Sequence, residues 1–329
     1  MSARVPQLML VAGEASGDLH GAALARALQV LAPDVRLYGM GGPRMAEAGV
    51  RLLVDARDTA VVGFSEVIRA LPALRRVFRR LAAALQTDRP DALVLVDFPG
   101  LNLRLARVAH AARVPVVYFV APQIWAWRPG RIETIRRYVS LVLAVLPFEP
   151  PIYARAGVRA IFVGHPVLDE VAAAPARSQA RRALGVGDAE PVVGLLPGSR
   201  QREIERLAPL MRDAARIIRA SRPGSRFVVA LAPAVEPEAV AAHLAGGPPL
   251  QLHRGAHTVM RAADVLIVAS GTATLEAALL GTPMVVCYRV SWVSEIIGRA
   301  VSRVPWISLV NLVLGRAVVP ELWRRSETT

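Results

Sequence analysis

The sequence predicts an α/β protein made of two doubly wound, mostly parallel sheet domains facing a cleft. Uncharged apolar runs of buried-strand type, such as 92–96 (ALVLV) and 265–269 (VLIVA), alternate with helical segments along the chain. The alternation pauses over 172–187, a stretch rich in Ala, Arg, Pro and Gly that reads as a partly helical linker, and then restarts. A chain of 329 residues is also long for a single core. The expected domains are residues 1–170 and 171–329.

In the first domain a strand over 7–12 ends in GEASGD (13–18) and feeds a helix over 19–31. A second strand, 35–39, closes on GGPRM (41–45). The buried strand 92–96 ends at Asp97, and a helix over 101–112 follows. Next come a strand over 116–120, the stretch PQIWAWRPGR (122–131) and a strand over 141–146 that runs into PFEPPIYARAG. A short strand over 162–164 leads to His165 and Pro166, a hinge or a catalytic histidine. Residues 64–85 depart from this scheme. Phe64, Val67, Ile68, Leu71, Leu74, Phe78, Leu81 and Leu85 recur at helical spacing, interrupted at Pro72, with Arg69, Arg75, Arg76, Arg79 and Arg80 beside them. The segment is either one or two core-packed helices with a solvated Arg face, or a basic amphipathic surface for an anionic membrane.

The second domain repeats the plan. A strand over 192–196 meets PGSR (197–200) and a helix over 203–220; a strand over 227–231 precedes a weakly patterned stretch to 249. A strand over 250–252, a helix over 258–263 and the strand 265–269 follow. Ser270, Gly271 and Thr272 break that strand and open a helix over 273–280. Every small-residue turn in this list follows a strand, where open α/β sheets bind their ligands.

The charge has an unusual make-up. All 40 basic residues are Arg, against 26 acidic ones. Without lysine there is no Walker A loop, Schiff base or pyridoxal phosphate chemistry. A net charge of +14 favours anionic partners, whether nucleic acid, acidic lipid or a phosphorylated substrate. The lone Cys287 excludes internal disulfides and Cys-based zinc sites and reads as a small core residue, and the six His show no metal-ligand spacing. No uncharged apolar run reaches the ~18–20 residues of a membrane span, and the first apolar run is too short for a signal peptide. The expected place is the cytoplasm.

Several turns have side chains suited to chemistry. Ser270, Gly271 and Thr272 aim backbone N–H groups and hydroxyls at one point, as a phosphate or diphosphate site requires, with Glu276 one turn on to accept from sugar hydroxyls. The same residues also describe an ordinary strand–turn–helix corner with Thr272 as N-cap. Ser199 and Arg200 resemble a second phosphate corner, with Arg200 as a permanent, forked cation. Asp97, where a buried strand ends, suits a general base, or forms an Asp-x-Pro-Gly turn. Glu14 and Asp18 either position sugar hydroxyls or a proton, or cap a helix. Trp125 and Trp127, beside Arg128 and Arg131, either bind acyl chains or phosphate or pack in the core.

Taken together, AGEASGD, GGPRM, DFPGLN, PQIWAWRPGR, LPFEP, GHP, LLPGSRQREI, ASGTATLEAAL and SLVNL resemble the lipid-A-disaccharide synthases, a family-19 glycosyltransferase family, over nearly the whole chain. The resemblance implies a GT-B fold of two Rossmann-like domains and metal-independent inverting transfer with no cofactor. The donor would be UDP-2,3-diacylglucosamine and the acceptor 2,3-diacylglucosamine 1-phosphate (lipid X), giving the β-1,6 tetraacyl disaccharide 1-phosphate and UDP. Residues 1–170 would bind acceptor and membrane, and residues 171–329 the UDP-sugar. It implies Asp97 as base for the acceptor 6-hydroxyl, with Glu14 and Asn311 as further catalytic residues. Ser16 and Asp18 would lie on the acceptor side; Ser199, Arg200, Ser270, Gly271, Thr272 and Glu276 would hold UDP. Phe64, Val67, Ile68, Leu71, Leu74, Arg75 and Arg76 would meet the inner face of the inner membrane, with no nucleic acid partner and no metal. Family chains continue past VPEL with helices that pack back and join in a homodimer. Here Val319, Pro320, Glu321 and Leu322 are followed only by WRRSETT, which puts the homodimer at issue. The competing readings are a UDP-sugar epimerase or hydrolase on the same fold, and a non-catalytic lipid- or nucleotide-binding remnant.

Overall fold

The computed structural model describes residues 5–59, 66–125, 130–233, 235–289 and 305–322, and the side chains of those residues outside 58–71. The chain separates into two compact units, Met1–His165 and Pro166–Thr329.

The first unit holds strands β1 (Gln7–Ala12), β2 (Arg36–Gly41), β3 (Arg51–Asp55), β4 (Ala92–Val96), β5 (Val116–Phe119), β6 (Leu141–Ala144) and β7 (Ala160–Phe162). Helices α1 (Ala15–Leu31), α2 (Pro43–Glu47), α3 (Glu66–Asp88), α4 (Pro99–Ala111), α5 (Arg131–Tyr138) and α6 (Glu149–Arg155) lie between them. The strands form one sheet in the order β3-β2-β1-β4-β5-β6-β7, with every pairing parallel. β1 and β4 are buried along most of their length because helices cover both faces, and this is why their sequences are continuously apolar rather than alternating. Gly39 sits at φ +144° in β2, and a β-carbon there would overlap the carbonyl of Leu10 on β1, so the register needs glycine.

The second unit repeats the order. Strands β8 (Val192–Leu196), β9 (Arg226–Leu231), β10 (Leu250–Arg254), β11 (Val265–Ala269), β12 (Met284–Cys287) and β13 (Glu321–Leu322) form a parallel sheet, β10-β9-β8-β11-β12-β13. Its helices among the described residues are α7 (Val167–Ala172), α8 (Arg177–Ala183), α9 (Gln201–Ser221), α10 (Pro237–Leu244), α11 (Ala256–Ala262), α12 (Thr272–Leu279) and α13 (Leu309–Leu314). Each unit is therefore a doubly wound sheet whose strand order reverses once, between β1 and β4 in the first and between β8 and β11 in the second.

The structure departs from the sequence reading in several places. Residues 172–187 are not a linker. Ala180 and Leu184 are buried in the second unit's core, and the Arg181 guanidinium, 2% exposed, donates to the carbonyls of Gly187, Glu190 and Ala262. Of the one or two helices expected around Pro72 there is one, α3, which runs through the proline and packs Val77, Leu81 and Leu85 into the core. α10 lies in the weakly patterned stretch before 249, and β3 in a stretch to which no element was assigned. The last strand of the first unit is β7, two residues earlier than expected, because Gly164 turns the chain at φ +84°.

Candidate active site

Four of the motif turns follow the strands that flank the two reversals of strand order, while GGPRM closes β2. In the first unit GEASGD follows β1 and DFPG follows β4, the two strands that flank the reversal. In the second, PGSR follows β8 and SGT follows β11. Ligands of open α/β sheets bind at such points.

At the end of β4 the backbone is strained. Asp97 (φ +46°) and Phe98 (φ +45°) are consecutive left-handed, non-glycine residues, a conformation that costs ~1–3 kcal/mol each. Neighbouring side chains hold it in place. The Asp97 carbonyl accepts from Asn102 Nδ2 at 2.7 Å and from the Tyr118 hydroxyl at 2.8 Å. Asn102 is fully buried, and its amide also reaches the Val96 carbonyl at 3.2 Å and the Val11 carbonyl at 3.4 Å, so it links β1 and β4 across the reversal. Burial, reinforced by the charge of Asp97, lifts the Tyr118 phenol well above its usual pKa, so it remains a donor. The Phe98 ring packs where a β-carbon on Gly13 would be, which fastens DFPG to GEASGD. Glu14, the N-cap residue of α1, and Ser16 are exposed beside them. Asp18 is 5% exposed. Its carboxylate accepts from the N–H groups of Gly42 (2.7 Å), Arg44 (3.1 Å) and Met45 (3.0 Å), filling the start of α2.

In the second unit, Gly198 turns the chain at φ +116° into α9. The Glu203 carboxylate folds back on this turn, accepting from Ser199 N (3.0 Å), Arg200 N (3.3 Å) and Arg200 Nη1 (3.1 Å). It orients a guanidinium that is otherwise largely exposed. The N-cap of α12 is Gly271 rather than Thr272, because Thr272 is already helical, and both are exposed. Ser270 donates its hydroxyl proton to the Ile307 carbonyl at 2.7 Å. Glu276 meets His257 Nε2 of α11 at 2.9 Å. That hydrogen bond raises the His257 pKa above its ordinary value, against the opposing effect of burial. Asn311 is completely buried in α13 and its amide is satisfied within the protein. Among the described residues no three His, Cys, Asp or Glu side chains converge as a metal site would require.

A family model described as Lipid-A-disaccharide synthetase matches residues 8–329. The chain belongs to that family. It is 46% identical over 319 residues to the lipid-A-disaccharide synthase of Myxococcus xanthus, covering 96% of this chain and 83% of that one. It is 44% identical over 321 residues to that of Trichlorobacter lovleyi, covering 97% and 84%. Among solved structures, a UDP-GlcNAc 2-epimerase from Neisseria meningitidis bound to UDP-GlcNAc aligns with TM-score 0.61, 12% identity and coverage of 94% and 90%. The kitacinnamycin glycotransferase aligns with TM-score 0.59, 18% identity and coverage of 99% and 88%. At those identities the likeness is one of fold, the GT-B class of paired Rossmann-like domains. The chain is thus a glycosyltransferase of lipid A disaccharide synthesis, and the epimerase alternative is not favoured.

For this synthetase family member, the expected site residues divide into two groups. Asp97, Glu14, Ser16, Ser199, Arg200, Gly271, Thr272 and Glu276 stand at the ends of β1, β4, β8 and β11 or in the helices these strands lead into. Asp18, Ser270 and Asn311 have their polar side chains hydrogen-bonded within the protein. Phe64 lies outside the described residues, as do Trp127 and Arg128, and the side chains of Val67, Ile68 and Leu71 lie outside the described part of α3. Leu74 is half-buried, and Arg75 and Arg76 are exposed. Trp125 is anchored inward: its Nε1 donates to Glu149 at 3.1 Å. Among the described residues no helix is long and apolar enough to cross a membrane. The sequence reading missed Tyr118, Glu203 and His257 as partners of the site. Glu203 had a signal, since it stands three residues after the N-cap Arg200 as in a capping box.

Proposed function

We propose that this chain transfers 2,3-diacylglucosamine from UDP-2,3-diacylglucosamine to the 6-hydroxyl of 2,3-diacylglucosamine 1-phosphate with inversion. The products are the β-1,6 tetraacyl disaccharide 1-phosphate and UDP. What carries this reading is the placement of four motif turns, two in each unit, at the reversals of strand order. The first unit takes the acceptor, with Glu14 and Ser16 contacting it and Asp97 receiving the proton of the attacking hydroxyl. A strained, clamped backbone fixes the point from which the Asp97 side chain projects, which suits a general base. The second unit takes the donor. Arg200 stabilises the charge that develops on the departing diphosphate; Ser199, Gly271 and Thr272 bind its oxygens, and Glu276, steadied by His257, accepts from the ribose. Asp18, Ser270 and Asn311 hold these turns in place.

The same proposal puts residues 64–76 of the first unit on the anionic, cytoplasmic face of the inner membrane. Phe64, Val67, Ile68, Leu71 and Leu74 would enter the interface, with Arg75 and Arg76 at the headgroups. Homodimerisation would add to this attachment. Incubation with both acylated substrates tests the activity: formation of the disaccharide supports it, and UDP release without the disaccharide sinks it.

A further inference from the structure

The second unit contains a hydrogen-bonded clasp that includes neither of its expected ligand-binding charges, Arg200 and Glu276. Its centre is Asn311, 0% exposed. Asn311 Nδ2 donates to the Val319 carbonyl at 2.9 Å and to Glu321 Oε1 at 2.7 Å, and its Oδ1 accepts from the N–H groups of Val318 (2.7 Å) and Val319 (3.0 Å). With two donors and two acceptor positions filled, this amide has nothing left for a substrate. The carboxylate it holds reaches onward. Glu321 accepts from the Ile307 N–H at 2.9 Å and from the Ser308 N–H at 3.0 Å.

Ile307 is thus held at its N–H by Glu321, and its carbonyl accepts the hydroxyl proton of Ser270 at 2.7 Å. A hydroxyl has a single proton, so a Ser270 bonded this way has none to donate to a phosphate. What it does is fix the turn that presents Gly271 and Thr272. β13, which carries Glu321, is itself pinned to β12, with Val286 N donating to the Pro320 carbonyl at 2.9 Å and Tyr288 N to the Leu322 carbonyl at 3.0 Å. The chain of contacts runs from the sheet edge through a charge-assisted pair of bonds to the turn after β11.

We infer that Glu321 is a positioning residue for the nucleotide end of the site, acting on the Ser270–Thr272 turn through Ile307. The inference rests on the reading of that turn as part of the UDP site, and its test separates the two. UDP affinity is measured by calorimetry on the full chain for S270A, E321Q, the double variant and R200A. E321Q keeps the side chain's shape but removes the charge that receives two N–H groups. E321Q and S270A are each expected to weaken UDP binding about tenfold, the scale of one hydrogen bond. The double variant is expected to be no weaker than either single one, because both cut the same chain of contacts. Losses that multiply to about a hundredfold, or an E321Q affinity equal to wild type, would overturn the inference. If R200A weakens UDP while S270A and E321Q do not, the inference fails and the diphosphate reading of Arg200 stands. If none of the variants changes the affinity, both fail. Should E321Q not fold, S270A and S270T carry the test: threonine restores the hydroxyl donor to Ile307 and is expected to recover wild-type affinity, and failure to recover it overturns the inference.

Discussion

Glu276 on α12 and His257 on α11 face each other across 2.9 Å, a carboxylate and an imidazole each mostly withdrawn from solvent. The bond raises the His257 pKa, and the nearby charge of Glu170 adds to the effect. An imidazole titrates near ~6.5 in an unfolded chain. Because the folded value is higher, the stabilisation is fully present below the unfolded value and is lost as pH rises through the folded one. The stability difference between wild type and H257N should therefore be largest near pH ~6 and shrink in alkaline solution. A difference that is the same at every pH, measured by urea unfolding, would show that the pair carries no charge.

Asp97→Asn should abolish turnover while UDP affinity and the unfolding midpoint remain near wild type, because the change keeps the shape of the side chain and leaves the clamped carbonyl in place. A rate within a fewfold of wild type in a disaccharide-forming assay would make Asp97 only a turn former.

Gly198→Ala should damage the diphosphate corner from the backbone outward. The position lies at φ +116°, and a β-carbon would come within 2.5 Å of Glu203 Oε2, the carboxylate that orients Arg200. The expected cost is ~1–3 kcal/mol of stability, together with weaker UDP binding of the same character as Arg200→Ala. An alanine variant with wild-type UDP affinity would show that the Glu203–Arg200 arrangement is dispensable.

Replacing Arg75 and Arg76 with Gln should weaken sedimentation with anionic vesicles by ~1 kcal/mol per charge, and high salt should release the wild type. Turnover of short-chain, water-soluble substrates should not change. Vesicle binding that ignores both the substitutions and the salt would remove these arginines from the membrane surface.

Buried parallel strands were the legible part of the fold. Residues 8–12, 92–96, 192–196 and 265–269 are continuous apolar runs because both faces of their sheets are covered, and the strands they mark could be read directly. Arg181 shows why 172–187 misled. An Arg-rich stretch looks solvated, yet this guanidinium is sealed among carbonyls, and composition cannot distinguish the two. In the site, Asp97 and Arg200 were legible because each stands where a strand ends in a small-residue turn. Their supports were not. Tyr118 reaches Asp97 from the next strand, and His257 and Glu276 meet from two helices 19 residues apart, contacts that leave no periodic trace. Asn311 was found for its place in a motif, but only the packing of 305–322 shows that its amide faces inward.

Asp18 and Glu203 give the protein a form of electrostatic restraint. Each places a carboxylate against a row of backbone N–H groups, at the entrance to α2 and at the entrance to α9. In a chain with a net charge of +14, helix entrances left open would invite any passing polyanion. Two are neutralised from within, while α12 begins at a glycine that has no side chain to do the same.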